Sequence, residues 1–175
     1  MTKGLPKSLS RGPALKKPII NQTIRVNTTV AVFAAATGVG FGTVALGALP
    51  EGNVLFLGAV SNLRFSAISV NSANAIAAFN GDYAIGSTAD ADGNLASPTT
   101  DANLVASTAL GPAVARVTPF ARGTGAVQAV LDNTAKTLGI NLNVLVDAAD
   151  ITDATTVTLT VEGTLDIAYL MLGDD

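Results

Sequence analysis

At 175 residues the chain fits one domain, and 49% hydrophobic residues supply a core, mostly from small side chains, since there are only six Phe, two Tyr and no Trp. It has no Cys and no His, which excludes disulfides, zinc–thiolate sites and thiol chemistry and removes the commonest general base and transition-metal ligand. The net charge of −3 hides a segregation: residues 1–25 carry Lys3, Lys7, Arg11, Lys16, Lys17 and Arg25 with no acid, and the remaining 150 set four basic residues against all 13 acids, a balance of −9.

Residues 1–23 read as an extended basic arm. Pro6, Pro13 and Pro18 break any helix, and Gly4 and Gly12 loosen the chain. Stretched out, the arm reaches roughly 75 Å. A basic arm on an acidic body is expected to touch something negative. The arm has no aromatic residue to stack on bases. It is too rich in proline for an amphipathic membrane helix. A protein surface is therefore the expected partner, with neither nucleic acid nor membrane.

The body, 24–175, reads as strands joined by turns. Ile24, Val26, Thr28, Val30 and Val32 share one parity, with Arg25, Asn27 and Thr29 on the other. The apolar stretch Ala31 to Leu49 has membrane-spanning length, but Gly38, Gly40, Gly42 and Gly47 interrupt it, so two strands around a turn at Thr37–Gly40 fit better. The same glycines lack the Lys-Ser/Thr of a phosphate loop. A turn at 48–53 leads to two short strands, Val54–Val60 and Leu63–Val70, with Arg64 placed to meet an acid or a subunit boundary. Residues 71–80 fit a helical turn or a short strand equally. Gly81–Ile85 is a strand. Residues 86–103 are dense in Gly, Ser, Thr, Asp and Pro and read as an exposed tip loop. Leu104–Leu110 and Ala113–Val117 are strands, and Thr118–Gly125 is a loop. Ala126–Thr137 fits a helix or a strand and loop, and Leu138–Val146 is a strand.

The final run, Thr156 to Leu172, is the clearest element. Val157, Leu159, Val161, Leu165, Ile167, Tyr169 and Met171 alternate with Thr158, Thr160, Glu162, Thr164 and Asp166, the pattern of a strand with one buried face. Gly163 predicts a bulge or bend. Beyond Asp166 both parities are apolar, which predicts a far half covered on both faces. Eight to ten strands with short turns predict an all-β fold, a β-sandwich of jelly-roll type carrying the basic arm.

Few residues offer chemistry. Asp147, Asp150 and Asp153 are spaced for a calcium site but read better as a polar corner. Asp90-Ala91-Asp92-Gly93-Asn94 begins like a calcium loop, yet lacks the glycine at position six and the glutamate at position twelve, so it too reads as tip loop and no metal or other cofactor is expected. No Ser-His-Asp or Cys-His arrangement can form. A carboxylate enzyme would need an acidic cleft with two facing carboxylates. The expectation is a protein that is not an enzyme.

The run Leu138 to Val146, the corner Asp147-Ala148-Ala149-Asp150-Ile151, the strand Ala154 to Leu165 and the ending Leu172-Gly173-Asp174 together resemble small structural proteins of tailed-bacteriophage virions. Gly81 to Gly86 and Ser107 to Leu110 are similar in style. The resemblance covers about half the chain and does not include the arm. It implies a virion protein on the capsid surface, of the capsid decoration or cement type, with the major capsid protein as partner and no active site; a homotrimer is the expected assembly, since it suits three-fold and quasi-three-fold capsid positions. Lys3, Lys7, Arg11, Lys16, Lys17 and Arg25 are then the expected capsid-binding residues. The alternative is a tail or head-fibre adhesion module that reads a host surface through loop 86–103.

Overall fold

A computed structural model describes residues 17–34, 39–68, 81–95, 100–110, 120–125, 129–147 and 157–173. Every regular element among them is a strand: β1 (Ile19–Ala34), β2 (Val39–Ala48), β3 (Gly52–Ile68), β4 (Gly81–Gly86), β5 (Val105–Leu110), β6 (Ala121–Gly125), β7 (Ala129–Asn133), β8 (Gly139–Asp147) and β9 (Val157–Gly173). No helix among these residues is long and apolar enough to cross a membrane.

Two antiparallel sheets pack against each other as a β-sandwich. The front sheet runs β1-β9-β3-β6, and the back sheet runs β2-β8-β4-β5. β7 continues β6 along the same edge of β3: β6 pairs with Ala59 to Leu63 and β7 with Gly52 to Phe56. The last residues of β1, Phe33 and Ala34, leave β9 and pair with Phe41 and Gly40 of β2, which joins the sheets at one side. The pairing is nested. β1 pairs with β9, β2 with β8, β3 with β6 and β7, and β4 with β5.

The alternating residues of β9 face inward as their period requires: Leu159, Val161, Leu165, Ile167 and Tyr169 are buried. They meet Ile85, Leu142 and Val144 of the back sheet in one core. Phe65 of β3 and Tyr83 of β4 touch across the sandwich, ring centroids 5.3 Å apart and tilted by 43°. Each such buried apolar side chain contributes about 1.5–3 kcal/mol.

Several elements differ from expectation. β1 begins at Ile19, so Ile19 to Thr23 are strand and not arm. Pro18 stops a helix but precedes a strand without cost, because proline is tolerated before the first ladder bond. Val54 to Ile68 is one strand, not two, and 121–125 is strand rather than loop. Gly163 makes no bulge: both ladders of β9 pass through it in unbroken register. Glycine is needed there for another reason. Its φ is +147°, and a Cβ would lie 2.0 Å from the Asn62 carbonyl oxygen. Bulges in this ladder lie elsewhere, in β3 at Leu57 between Phe56 and Gly58, and at the end of β9, where Leu172 is skipped between the partners of Asn53 and Val54. Residues 71–80, the predicted strand Ala113–Val117 and the acids Asp150 and Asp153 lie outside the described residues.

The two sheets also meet where β5 and β6 approach. The Tyr83 hydroxyl lies 2.9 Å from Ser61 Oγ and 3.2 Å from the Ala121 carbonyl oxygen, bridging the back sheet to β3 and β6. Burial raises the Tyr83 pKa, against the opposing effect of its Ser61 hydrogen bond. A folded pKa above the unfolded value of about 10 means that Tyr83 stabilises the fold fully below pH ~10, and that this contribution is lost as pH rises through the folded pKa. Melting temperatures taken from pH ~9 to ~12 are expected to fall steeply for the native chain and less steeply for Tyr83→Phe. At neutral pH that variant is expected to lose about 1–2 kcal/mol, because Ser61 and the Ala121 carbonyl lose a partner. Parallel alkaline profiles would show that Tyr83 does not govern the transition.

Candidate functional site

Of the six basic residues expected to bind a surface, Lys3, Lys7, Arg11 and Lys16 lie outside the described residues. Lys17 is exposed, and its Nζ donates to the Leu172 carbonyl at the end of β9. Arg25 stands apart from it. It is exposed on β1 opposite Thr164, eight positions further along, or about 26 Å at strand spacing. Its surroundings are the polar half of the front sheet's outer face, where Glu162 pairs in register with Asn27 on one side and Arg64 on the other. Arg64 therefore faces an acid across the ladder, one of the two placements its position suggested.

The end of the front sheet near Lys17 is different. Ile19 pairs with Leu170, Leu170 with Leu55, and Leu55 with Val130. These four residues form one row across β1, β9, β3 and β7 on the outer face. Ile19 is 57% exposed and Val130 59%, while Leu55 and Leu170 are half-buried. The far half of β9, expected to be covered on both faces, is thus only partly covered on the outer one. Beside the row the small residues Gly58 and Ala168 leave a groove of about 340 Å³, flanked by Asn21, Thr23 and Asp166. The Thr23 hydroxyl donates to Asp166. Sequence reasoning found β9's apolar second parity but not this row, because the row requires the register of four strands.

The second candidate region is the connection 87–104 between β4 and β5. It is not a bare tip. Leu95 and Ala102 are buried against Ala84 on the outer face of the back sheet, with Leu145 packed beside them. Beneath the loop sits Asn143 of β8, fully buried. Its Nδ2 donates to the Thr88 carbonyl (3.1 Å) and the Asp101 carbonyl (2.7 Å), and its Oδ1 accepts from the Asp90 amide (3.0 Å) and the Thr43 hydroxyl (2.7 Å). Two donors and two acceptors are all used, the full capacity of an amide side chain. The Asn103 side chain pins the other limb through Ser87: its Oδ1 accepts from the Ser87 amide at 2.8 Å and its Nδ2 donates to Ser87 Oγ at 2.9 Å.

This scaffold brings Asp90, Asp92 and Asp101 together, each offering an oxygen within 4.8 Å of the others. Asp90 Oδ1 accepts from the amides of Asp92 and Gly93, both at 3.0 Å, closing the turn in which Gly93 takes a φ of +74°. Asp92 is exposed, at the rim of a depression of about 280 Å³ lined also by Thr88, Thr100 and Asp101. Carboxylates packed this closely suit shared ligation better than a division into acid and base, for which glycosidases hold their pair about 5–9.5 Å apart. Comparisons with protein-family models, curated proteins and solved structures found no match.

Proposed function

We propose that this chain is a capsid decoration (cement) protein of a tailed bacteriophage, a jelly-roll body with a basic N-terminal arm that binds the outer surface of the head and stabilises contacts between major capsid subunits. The nested strand pairing supports the jelly roll. With β6 and β7 taken as one interrupted strand, first pairs with last, second with next to last, and so inward, as when a long hairpin is rolled up. Jelly rolls serve viral capsids and lectins alike, so the fold leaves the function to be argued from the surface.

The observation that carries the reading is the row Ile19, Leu170, Leu55 and Val130, exposed at its two ends and adjoining Lys17, where the chain enters from the basic segment. An apolar row of this kind gains by being covered, and one beside a basic segment is placed to seat on the surface which that segment follows. Lys3, Lys7, Arg11, Lys16 and Lys17 would then contact the major capsid protein along subunit boundaries, with the row docking beside them. Arg25, distant from Lys17, contributes to the polar face instead. Many weak contacts on one tether add through effective concentration. The assembly is a homotrimer on the capsid surface, and the chain is not an enzyme.

Removing residues 1–16, which leaves β1 intact, is expected to weaken binding to purified heads about 100-fold, the scale on which tethering acts, while the body stays folded. Val130→Asp should weaken it independently. Occupancy of heads by the truncated chain at the native level would sink the arm mechanism. The pinned loop 87–104 with its polar depression favours one other reading, a tail or head-fibre adhesion module binding a host surface. Copies spread over the shell and copies confined to the tail separate the two.

A further inference from the structure

Two buried carboxylates on the back of the sandwich have oxygens with nothing to bond. Asp90 is 5% exposed and Asp101 8%, yet Asp90 Oδ2 and Asp101 Oδ1 have no hydrogen-bond partner. A buried ionised oxygen without a partner is costly, and two beside a third carboxylate repel one another as well. Among the described residues no lysine or arginine pairs with them; the ion pair formed there joins Lys136 to Glu51. The three oxygens within 4.8 Å of one another match a different partner. Oxygens bound to one calcium ion at about 2.3–2.6 Å lie no more than about 5 Å apart, and the three meet that requirement.

We propose that Asp90, Asp92 and Asp101 bind a calcium ion that clamps the loop between β4 and β5 onto the back sheet. The donors are hard oxygens, and the depression beside them admits water to complete the six to eight ligands that calcium takes. Magnesium fits less well. It demands near-octahedral geometry at about 2.0–2.1 Å and keeps most of its water, usually engaging one or two carboxylates. The limbs of the site are positioned without the ion, because Asn143 holds the Asp90 amide and the Asp101 carbonyl from below. Gly86 lets the Asp101 backbone close in, since a Cβ there would lie 2.2 Å from the Asp101 carbonyl carbon. The chain order agrees. If Asp90 is position one, Asp92 is three, Asn94 is five and Asp101 is twelve, which is the spacing of a twelve-residue calcium loop with Asp in place of the final Glu and without the glycine at six.

The test uses the full chain, stripped with EDTA and titrated with calcium chloride by calorimetry, with melting temperatures measured in parallel. One ion per chain is expected, with a Kd of roughly 1 µM to 1 mM, a melting temperature that rises with calcium, and a smaller rise with equal magnesium. Asp92→Asn, at the exposed rim, should weaken binding at least about tenfold. Asp101→Asn should abolish the calcium response and, without calcium, melt above the native chain, because it removes a buried unpaired charge. That reversal of order is a signature that a merely structural aspartate would not give. Three results would overturn the site: no calcium heat up to millimolar concentration, magnesium binding as tightly as calcium, or a calcium response unchanged in both variants, which would place the ion elsewhere.

Discussion

Asn143→Leu is expected to destabilise the chain by about 4 kcal/mol, although leucine has nearly the same size and would be welcome in most buried positions. The reason lies in what the substitution leaves behind. The Thr88 and Asp101 carbonyls and the Asp90 amide each lose their partner, while the loop above keeps water out. Each buried group left unpaired costs about 1–3 kcal/mol, and partial relaxation of the loop recovers some of the sum. The loss has a location as well as a size. Because the front sheet and the central core do not depend on Asn143, hydrogen exchange should accelerate first at the Asp90 amide and around Ser87 to Asp92. Asn143→Asp should do little better, since it surrenders both donors and adds a fourth carboxylate near Asp90, Asp92 and Asp101. Urea denaturation giving a loss below about 1 kcal/mol would mean that the loop is held mainly by Leu95 and Ala102.

How much of this was legible from sequence varies with the kind of signal. β9 is legible nearly to the residue, because Leu159, Val161, Leu165, Ile167 and Tyr169 on one parity are all core. β3 reads as two strands because its parity changes. Val54 and Phe56 face inward on even numbers, the bulge at Leu57 shifts the count, and Ala59, Ser61, Leu63 and Phe65 face inward on odd ones. A buried serine in the second half hid it further, since nothing local reveals that Ser61 bonds to Tyr83. β6 looked like a loop for a related reason. Its Ala-Arg-Gly-Thr-Gly sequence has glycines where the opposite sheet comes close, and glycine there records tertiary contact rather than local preference. Residues 86–103 read as a tip because their polar residues outnumber Leu95 and Ala102, and nothing local separates Asn143 from its half-buried strand neighbour Asn141. The acidic cluster has one signal in the sequence: Asp101 stands at the twelfth position from Asp90, where a calcium loop carries glutamate.

Gly125→Ala tests the seam where β6 meets the connection into β5, and it is expected to cost at least about 3 kcal/mol or to prevent folding altogether. A Cβ at Gly125 would lie 1.8 Å from the Leu104 carbonyl oxygen and 2.9 Å from its carbon. Both are backbone atoms. They cannot rotate aside as a side chain would, so relief requires moving β6 away from residue 104. That motion pulls on Ala121 and Gly123, and through Ala121 on the Tyr83 hydroxyl that ties the sheets together. The companion position on the opposite seam is Gly42, where a Cβ would lie 2.1 Å from the Ala31 carbonyl oxygen, and Gly42→Ala should be similarly severe. Gly47→Ala supplies the control. It lies in the same sheet as Gly42, but its Cβ would meet only Ile140 Cδ1, at 4.0 Å, an ordinary contact. There the smaller freedom of the unfolded chain should leave stability unchanged or raise it by about 0.4–1 kcal/mol. A wide gap in melting temperature between the seam variants and Gly47→Ala is therefore the expected result. If all three melted together, backbone contact at the seams would carry little of the stability, and the sandwich would be held by its central side chains alone.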